Sequence, residues 1–184
     1  MLLHRSIRFA EVDQYLASLG FAVVRFVPRV FPNRKEPAHV EWENGPAKAS
    51  AEFVMHVDPE RRLLAIVGTD VEDVRAAVAH RLRLEDRGDL LAELAGADQD
   101  AAAYAVVALV DGWPNSSLVD VEHALFSRPE AHVQLACVKG LEALGTQRAL
   151  AVLERARHDQ TRTIEARAIA GAAASELRFT AKRE

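Results

Sequence analysis

The spacing of hydrophobic and polar residues in the first half of the chain predicts a helix followed by strands. Residues 7–19 carry apolar side chains every three or four positions, which predicts an amphipathic helix that ends at Gly20. Four runs rich in β-branched and aromatic residues come next, and each run predicts a strand. These runs are residues 21–27, 38–42, 49–57 and 62–67.

Turn-forming residues separate the runs and favour an antiparallel arrangement. Asn44-Gly45-Pro46 lies between the second and third runs, and Asp58-Pro59 opens the connection between the third and fourth. Residues 28–37 contain three prolines, which predict an exposed loop or an excursion at the edge of a sheet.

A second helix is predicted after the last run. Thr69 and Glu72 have the spacing of a capping box, in which two side chains satisfy unpaired amides at a helix start. Val74, Val78 and Leu82 lie on one face of the helix that follows. Residues 1–84 are therefore predicted to form an α+β unit, in which a helix, an antiparallel four-stranded meander and a second helix pack together.

Beyond residue 84, apolar residues keep helical spacing and repeat with a period of 31 residues. The sets that this offset aligns are Ala102, Val133 and Ile164, then Val106, Cys137 and Ala168, and, in a second helix, Leu90, Val121 and Val152. Both helices of a helical hairpin therefore recur. Residues 85–184 are predicted to contain about three such hairpins.

These hairpins resemble the HEAT-repeat family, in particular the short bacterial HEAT-like units shared with phycobilisome lyases. Residues 133–145 resemble the valine-led first helix and the leucine-glycine break of that pattern, and residues 148–153 resemble its arginine-alanine-led second helix. Gln134 and Glu165 depart from the arginine usual at that position, and Trp113-Pro114 replaces the leucine-glycine break. The resemblance implies an all-α solenoid whose second helices line a concave surface.

The predicted solenoid gives a hypothesis for function, which is a non-catalytic scaffold or adaptor that binds a partner protein. We expect the partner to contact polar side chains on the second helices, together with a tryptophan in a turn, because tryptophan is frequent in binding hot spots. The predicted contact residues are Asp89, Glu93, Trp113, Asp120, Glu122, His123, Arg148, Glu154, Arg155 and His158.

Charge is distributed unevenly over the predicted hairpins. The formal net charge is −4, yet residues 85–130 contain only Arg87 and Arg128 against ten carboxylates, whereas residues 131–184 contain nine basic and six acidic side chains. Such a gradient would steer a charged partner. Solvated helix faces that keep the protein in solution would give the same composition.

Three more specific functions are alternatives to a general adaptor. A small acidic binder also suits an immunity or inhibitor protein for a bacterial toxin. Nucleic-acid binding is the second alternative, because basic residues gather between positions 148 and 183 and alkylpurine DNA glycosylases also use HEAT-like stacks. The acidic remainder of the chain argues against it. A bilin-lyase-like enzyme is implied only by the repeat itself.

The reactive side chains show no pattern typical of catalysis or metal binding. No two of the seven histidines are three or four residues apart, and the His-Glu dipeptides of the iron-dependent deoxyhypusine hydroxylases are missing from the sequence. Cys137 aligns with core positions of the repeat, so we interpret it as a buried thiol and not as a nucleophile paired with His132 or His158. We predict no cofactor, no metal and no enzymatic activity.

Cysteine content and hydropathy predict a cytoplasmic location. One cysteine excludes an internal disulfide and favours a reducing compartment, and the first residues lack the apolar core of a signal peptide. The longest apolar run, residues 101–110, is about half of the roughly 20 residues that cross a bilayer. We therefore expect no membrane span.

Overall fold

The computed structural model describes residues 1–29, 37–57, 60–69 and 71–180 of the 184-residue chain. The chain divides into two compact units, Met1–Glu85 and Asp86–Glu184. Over the described ranges, the first unit contains one five-stranded antiparallel sheet and two helices, and the second unit contains six helices. The protein is therefore of mixed α and β structure.

The first unit places its strands in a single sheet with the order β1-β5-β4-β3-β2, in which every neighbouring pair is antiparallel. Its elements are β1 (Leu2–Leu3), α1 (Phe9–Ser18), β2 (Ala22–Val27), β3 (His39–Asn44), β4 (Ala49–Val57), β5 (Glu60–Gly68) and α2 (Glu72–Arg81).

The prediction of four strands was wrong, because the sheet has a fifth strand, β1, at one edge. The Leu64 N–H donates to the Met1 carbonyl at 2.9 Å, and Leu2 lies opposite Leu63. A strand of two residues is too short to show an alternating pattern, so it could not be predicted from hydrophobic spacing. The other strands follow the prediction closely, and β4 has the predicted bounds.

The start of α2 also differs from the prediction. The N-cap residue is Val71, which has no side-chain oxygen, so the expected capping box between Thr69 and Glu72 does not form. The Arg75 guanidinium instead donates to Glu72 at 2.6 Å within the first turn. Asp70 lies outside the described residues, as do residues 30–36 of the predicted loop and Asp58-Pro59 of the predicted turn.

Both helices of the first unit pack on the same face of the sheet. The Trp42 indole N–H donates to Asp13 of α1 at 2.9 Å, and the Arg75 guanidinium of α2 donates to the Ile66 carbonyl at 2.6 and 3.0 Å. Alternate strand residues therefore enter one buried core. That core includes Val12, Leu16, Val40, Trp42, Phe53, Met55, Leu64, Ile66 and Val78.

The second unit consists of α3 (Arg87–Ala95), α4 (Gln99–Gly112), α5 (Leu118–Ser127), α6 (Ala131–Leu144), α7 (Gln147–His158) and α8 (Ile164–Thr180). Side chains at the helix starts accept backbone N–H bonds, namely Asp86 for α3, Asp98 for α4 and Thr146 for α7. Gly145, with φ +62°, ends α6 in the left-handed conformation that glycine adopts without strain.

The six helices pack in two rows. In one row α4 contacts α6 and α6 contacts α8, and in the other α3 contacts α5 and α5 contacts α7. Between the rows, α3 packs on α4, α5 on α6 and α7 on α8. Helices of one predicted type therefore lie beside the next helix of that type.

The repeat alignment overestimated burial in α8. Ala102 and Val133 are buried, but Ile164, which aligns with them, is 72% exposed, and Ala168 is exposed where Val106 and Cys137 are buried. The reason is the position of α8 in its row. α6 packs between α4 and α8, whereas α8 packs, within the described residues, against α6 and α7.

Candidate functional site

Nine of the ten predicted contact residues lie on one row of helices, α3, α5 and α7. Asp89 and Glu93 are on α3, Asp120, Glu122 and His123 are on α5, and Arg148, Glu154, Arg155 and His158 are on α7. The tenth, Trp113, follows α4 and is half-buried. Its carbonyl accepts the Ser116 and Ser117 N–H groups at 3.1 and 3.0 Å, so this residue begins the turn into α5.

Three of these residues form an ion cluster between α5 and α7. The Glu122 carboxylate lies 2.9 Å from the Arg155 guanidinium and 3.8 Å from that of Arg148. The side chain of Glu122 is 22% exposed, whereas Arg148 and Arg155 are 66% and 58% exposed. One carboxylate therefore pairs with two guanidinium groups, so these three side chains together carry a positive charge.

An apolar stripe on α5 borders the ion cluster. The Arg155 guanidinium carbon lies 4.0 Å from the centroid of the Phe126 ring, which is a cation–π distance. Val119 lies one helical turn before Glu122 and two turns before Phe126, on the same side of α5. Val119 is 56% exposed. We refer to Val119, Glu122, Phe126, Arg148 and Arg155 as the α5–α7 face.

Other predicted contact residues are held in ion pairs with their own chain. The Arg87 guanidinium lies 2.5 Å from Asp120 and joins α3 to α5. The Glu154 carboxylate lies 2.6 Å from the Arg178 guanidinium of α8 and 3.3 Å from that of Arg157. These carboxylates therefore connect neighbouring helices.

The remaining predicted contact residues differ in their exposure. Asp89, His123 and His158 are exposed, and Glu93 is half-buried. The Arg157 guanidinium N–H donates to Nε2 of the adjacent His158 at 3.0 Å.

Two arginines that were not among the predicted contact residues join successive helices. Arg128, after α5, donates to the carbonyls of Leu94 and Gly96 at the end of α3, at 2.6 and 2.7 Å. Arg162, after α7, donates to the carbonyls of Leu125 and Arg128 at the end of α5, at 2.5 and 3.2 Å. Each arginine supplies partners for carbonyls that a helix end leaves unpaired. The two arginines are 34 residues apart, close to the 31-residue period, and this spacing was the sequence signal that could have identified them.

Gln134 explains one departure from the HEAT-like pattern. Its side chain is fully buried in α6, its amide donates to the Arg128 carbonyl at 2.8 Å, and its oxygen accepts the Thr163 N–H at 3.0 Å. The neutral amide both donates and accepts, which an arginine at this position could not do. Gln134 therefore links the turn after α5 to the start of α8.

The single thiol of the sequence lies in the core of the second unit. Cys137 is fully buried in α6, and burial raises the pKa of its thiol to about 12. Across the ranges that the structure describes, no three His, Cys, Asp or Glu side chains come together as a group that could hold a metal ion. No described helix is both long enough and apolar enough to cross a membrane.

Comparisons with protein-family models, with curated proteins and with solved structures found no match to this chain.

Proposed function

We propose that this protein is a non-catalytic protein-interaction module of the cytoplasm. In this proposal the second unit is a short HEAT-like solenoid of three hairpins, and the row formed by α3, α5 and α7 lines the surface that holds a partner protein. The α5–α7 face is the centre of that surface.

Contacts between residues that are about one 31-residue period apart support the proposal that the second unit is a solenoid. Arg87 with Asp120 and Glu122 with Arg155 both join residues 33 positions apart. Arg128 and Arg162 reach back by 32 to 37 positions to the preceding helix of the same row. In a repeat protein each unit contacts its neighbours, so such contacts recur at the repeat length.

The proposal that this face binds a partner rests on one observation, which is that Glu122 pairs with both Arg148 and Arg155. Two guanidinium groups share this one carboxylate, and that of Arg155 also lies over the Phe126 ring of α5, the helix that exposes Val119. Arginine and aromatic residues are the commonest binding hot spots, and arginine binds carboxylates with two parallel hydrogen bonds. The complementary partner is therefore a protein segment with an acidic side chain next to an apolar one.

The same pairing weakens the nucleic-acid alternative. Arg148 and Arg155 bind Glu122, Arg157 and Arg178 bind Glu154, and Arg162 donates to backbone carbonyls, so these cations do not form a continuous free stripe. Lys182 and Arg183, which belonged to the predicted basic segment, lie outside the described residues. A toxin inhibitor is a narrower form of the proposed module, and a bilin lyase would need chemistry for which these residues offer no support.

The proposal is tested by charge reversal on the face. The intact protein is immobilised, proteins captured from a lysate of the source organism are identified, and each candidate is purified for isothermal titration calorimetry. We expect Arg148→Glu to weaken binding at least tenfold, about 1.4 kcal/mol, because it places a second carboxylate beside Glu122. Lys139→Glu, an equal change of charge at an exposed position of α6, is the matched control and is expected to leave the Kd within about twofold.

Two results would contradict the proposal. If a purified partner binds the Arg148→Glu variant as tightly as the parent protein, the α5–α7 face is not its binding site. If the protein instead retains duplex DNA at low salt and loses it as salt rises, the basic-helix alternative replaces the adaptor. Circular dichroism of both variants establishes that each remains folded.

A further inference from the structure

The edge strand β2 exposes more apolar surface than an edge strand usually does. Within the described residues β2 pairs only with β3, and its sequence is Ala-Val-Val-Arg-Phe-Val. Val23, Val24 and Phe26 are 47%, 54% and 53% exposed. Edge strands of isolated proteins usually carry charges or prolines that prevent pairing with another strand.

The single charge of β2 does not protect this edge. Arg25 lies 3.0 Å from Glu41 of β3, so its charge is compensated within the same sheet. The strand carries no acidic residue and no proline. A largely apolar strand, whose charge is compensated within its own sheet, is therefore complementary to β2.

A bulge in β2 gives the strand an unusual symmetry. Val23 lies opposite Trp42 and Phe26 lies opposite Val40, and both of these β3 residues are buried on the face that carries the helices. Val23 and Phe26 therefore point to the same face, although an odd number of positions separates them. The register shift between Val23 and Arg25 causes this, since residues three positions apart in a regular strand point to opposite faces.

The other pair of positions follows the same symmetry. Ala22 lies opposite Glu43 and Val27 lies opposite His39, so both point to the face without helices. A twofold axis perpendicular to the sheet, between Val24 and Arg25, would place Val23 opposite Phe26 of a second copy. It would also place Ala22 opposite Val27 of that copy. Both of these opposed pairs are apolar and each lies on one face, as antiparallel pairing requires. The two central pairs place Val24 opposite Arg25, whose charge is compensated by Glu41 of β3.

We propose that two copies of this chain associate through antiparallel pairing of their β2 strands, centred between Val24 and Arg25, and so form a continuous ten-stranded sheet. The interface uses backbone hydrogen bonds across the edge and the Val23–Phe26 cross-strand contacts. The strand is six residues long, about 20 Å, so the contact is small and the expected Kd is micromolar.

The test measures the mass of the intact protein by sedimentation velocity between about 1 and 200 µM. The parent protein is expected to shift from monomer to dimer over this range. Val23→Lys and Phe26→Glu should each remain monomeric, because each places a charge against an apolar side chain of the second copy. Val67→Lys, at a 55% exposed position of β5, is the matched control and should dimerise like the parent.

Mixing the two single variants tests the register itself. An equimolar mixture of Val23→Lys and Phe26→Glu chains places one lysine opposite one glutamate and one valine opposite one phenylalanine, so a heterodimer is expected. Recovery of the dimer also shows that neither variant had simply unfolded. A parent protein that stays monomeric at 200 µM, a dimer that survives Val23→Lys, or a mixture that stays monomeric would each overturn the proposal.

Discussion

At the scale of single residues, Cys137 shows how burial determines chemistry. The thiol lies in α6 with no exposed surface, and desolvation raises its pKa to about 12. Because the thiolate is the reactive form of cysteine, a thiol that stays protonated in an apolar site is inert. We expect native protein to resist a thiol reagent such as DTNB at pH 8, and protein in guanidinium chloride to react with one equivalent.

The raised pKa of Cys137 also predicts how stability changes with pH. An unfolded thiol ionises near pH 8.5, whereas the folded thiol holds its proton until about pH 12. The stabilising contribution is therefore complete below pH 8.5 and is lost as pH rises toward 12, by up to about 1.4 kcal/mol per pH unit. Urea denaturation of the parent and of Cys137→Ala at pH 8 to 10.5 measures the difference in slope. Parallel stability curves would contradict the prediction.

The roles of some of these residues could be predicted from the sequence, and those of others could not, for a physical reason. The buried state of Cys137 followed from its alignment with Val106, because a period assigns a helical position to the core. The pairing of Glu122 with both Arg148 and Arg155 could not be predicted, because it depends on how closely α5 and α7 approach and on side-chain rotamers. Trp113 was chosen for its residue type and its predicted position in a turn, and the structure places it at the start of that turn.

At the scale of elements, two glycines in neighbouring helices have opposite roles. A Cβ built on Gly140 of α6 would lie 3.1 Å from Val110 Cγ2 and 3.3 Å from Val106 Cγ1 of α4, whereas a Cβ on Gly171 of α8 would meet no atom within 4 Å. Gly140 therefore permits the close approach of α6 to α4, while Gly171 only weakens its own helix.

The same substitution should consequently change stability in opposite directions. Gly171→Ala should raise the free energy of unfolding by about 0.5–1 kcal/mol, because alanine loses less backbone entropy in a helix. Gly140→Ala should lower it by about 1–3 kcal/mol, because Val106 and Val110 are stiff, buried side chains that have little room to move. Thermal and urea unfolding of the two variants measure both values. Equal effects at the two positions would show that α4 and α6 are not packed this closely.

Element prediction succeeded where a pattern was long enough to be seen. Residues 49–56 of β4 alternate between the core and the other face, and the bounds of the strand were predicted correctly. The two residues of β1 carry no pattern, and they pair with residues of β5 that lie 61 and 59 positions further along the chain. In α8 the repeat predicted buried residues at positions that are exposed, because a sequence period does not tell whether another helix packs on a given side.

At the scale of the whole molecule, each unit has a hydrophobic core of its own. The core of the first unit draws on residues between Leu3 and Leu82. In the second unit Leu90, Leu109, Leu125, Leu141 and Leu153 are almost completely buried. A stretch of 85 to 99 residues with its own core is within the size range of independently folding domains. We therefore expect residues 1–85 and residues 86–184, expressed separately, each to unfold cooperatively in circular dichroism, the second as an all-helical protein.

The position of the boundary is part of this prediction, because the last residues of the first unit complete its sheet edge. The His4 N–H donates to the Arg83 carbonyl at 2.9 Å, the Glu85 N–H donates to the Leu2 carbonyl at 3.1 Å, and the Glu85 carboxylate accepts the Arg5 N–H at 3.1 Å. A chain that ends at residue 82 loses all three hydrogen bonds, each worth about 0.5–1.5 kcal/mol. Residues 1–82 should therefore be about 2–4 kcal/mol less stable than residues 1–85 in urea denaturation. Equal stability of the two fragments would mean that residues 83–85 do not hold β1 in the sheet.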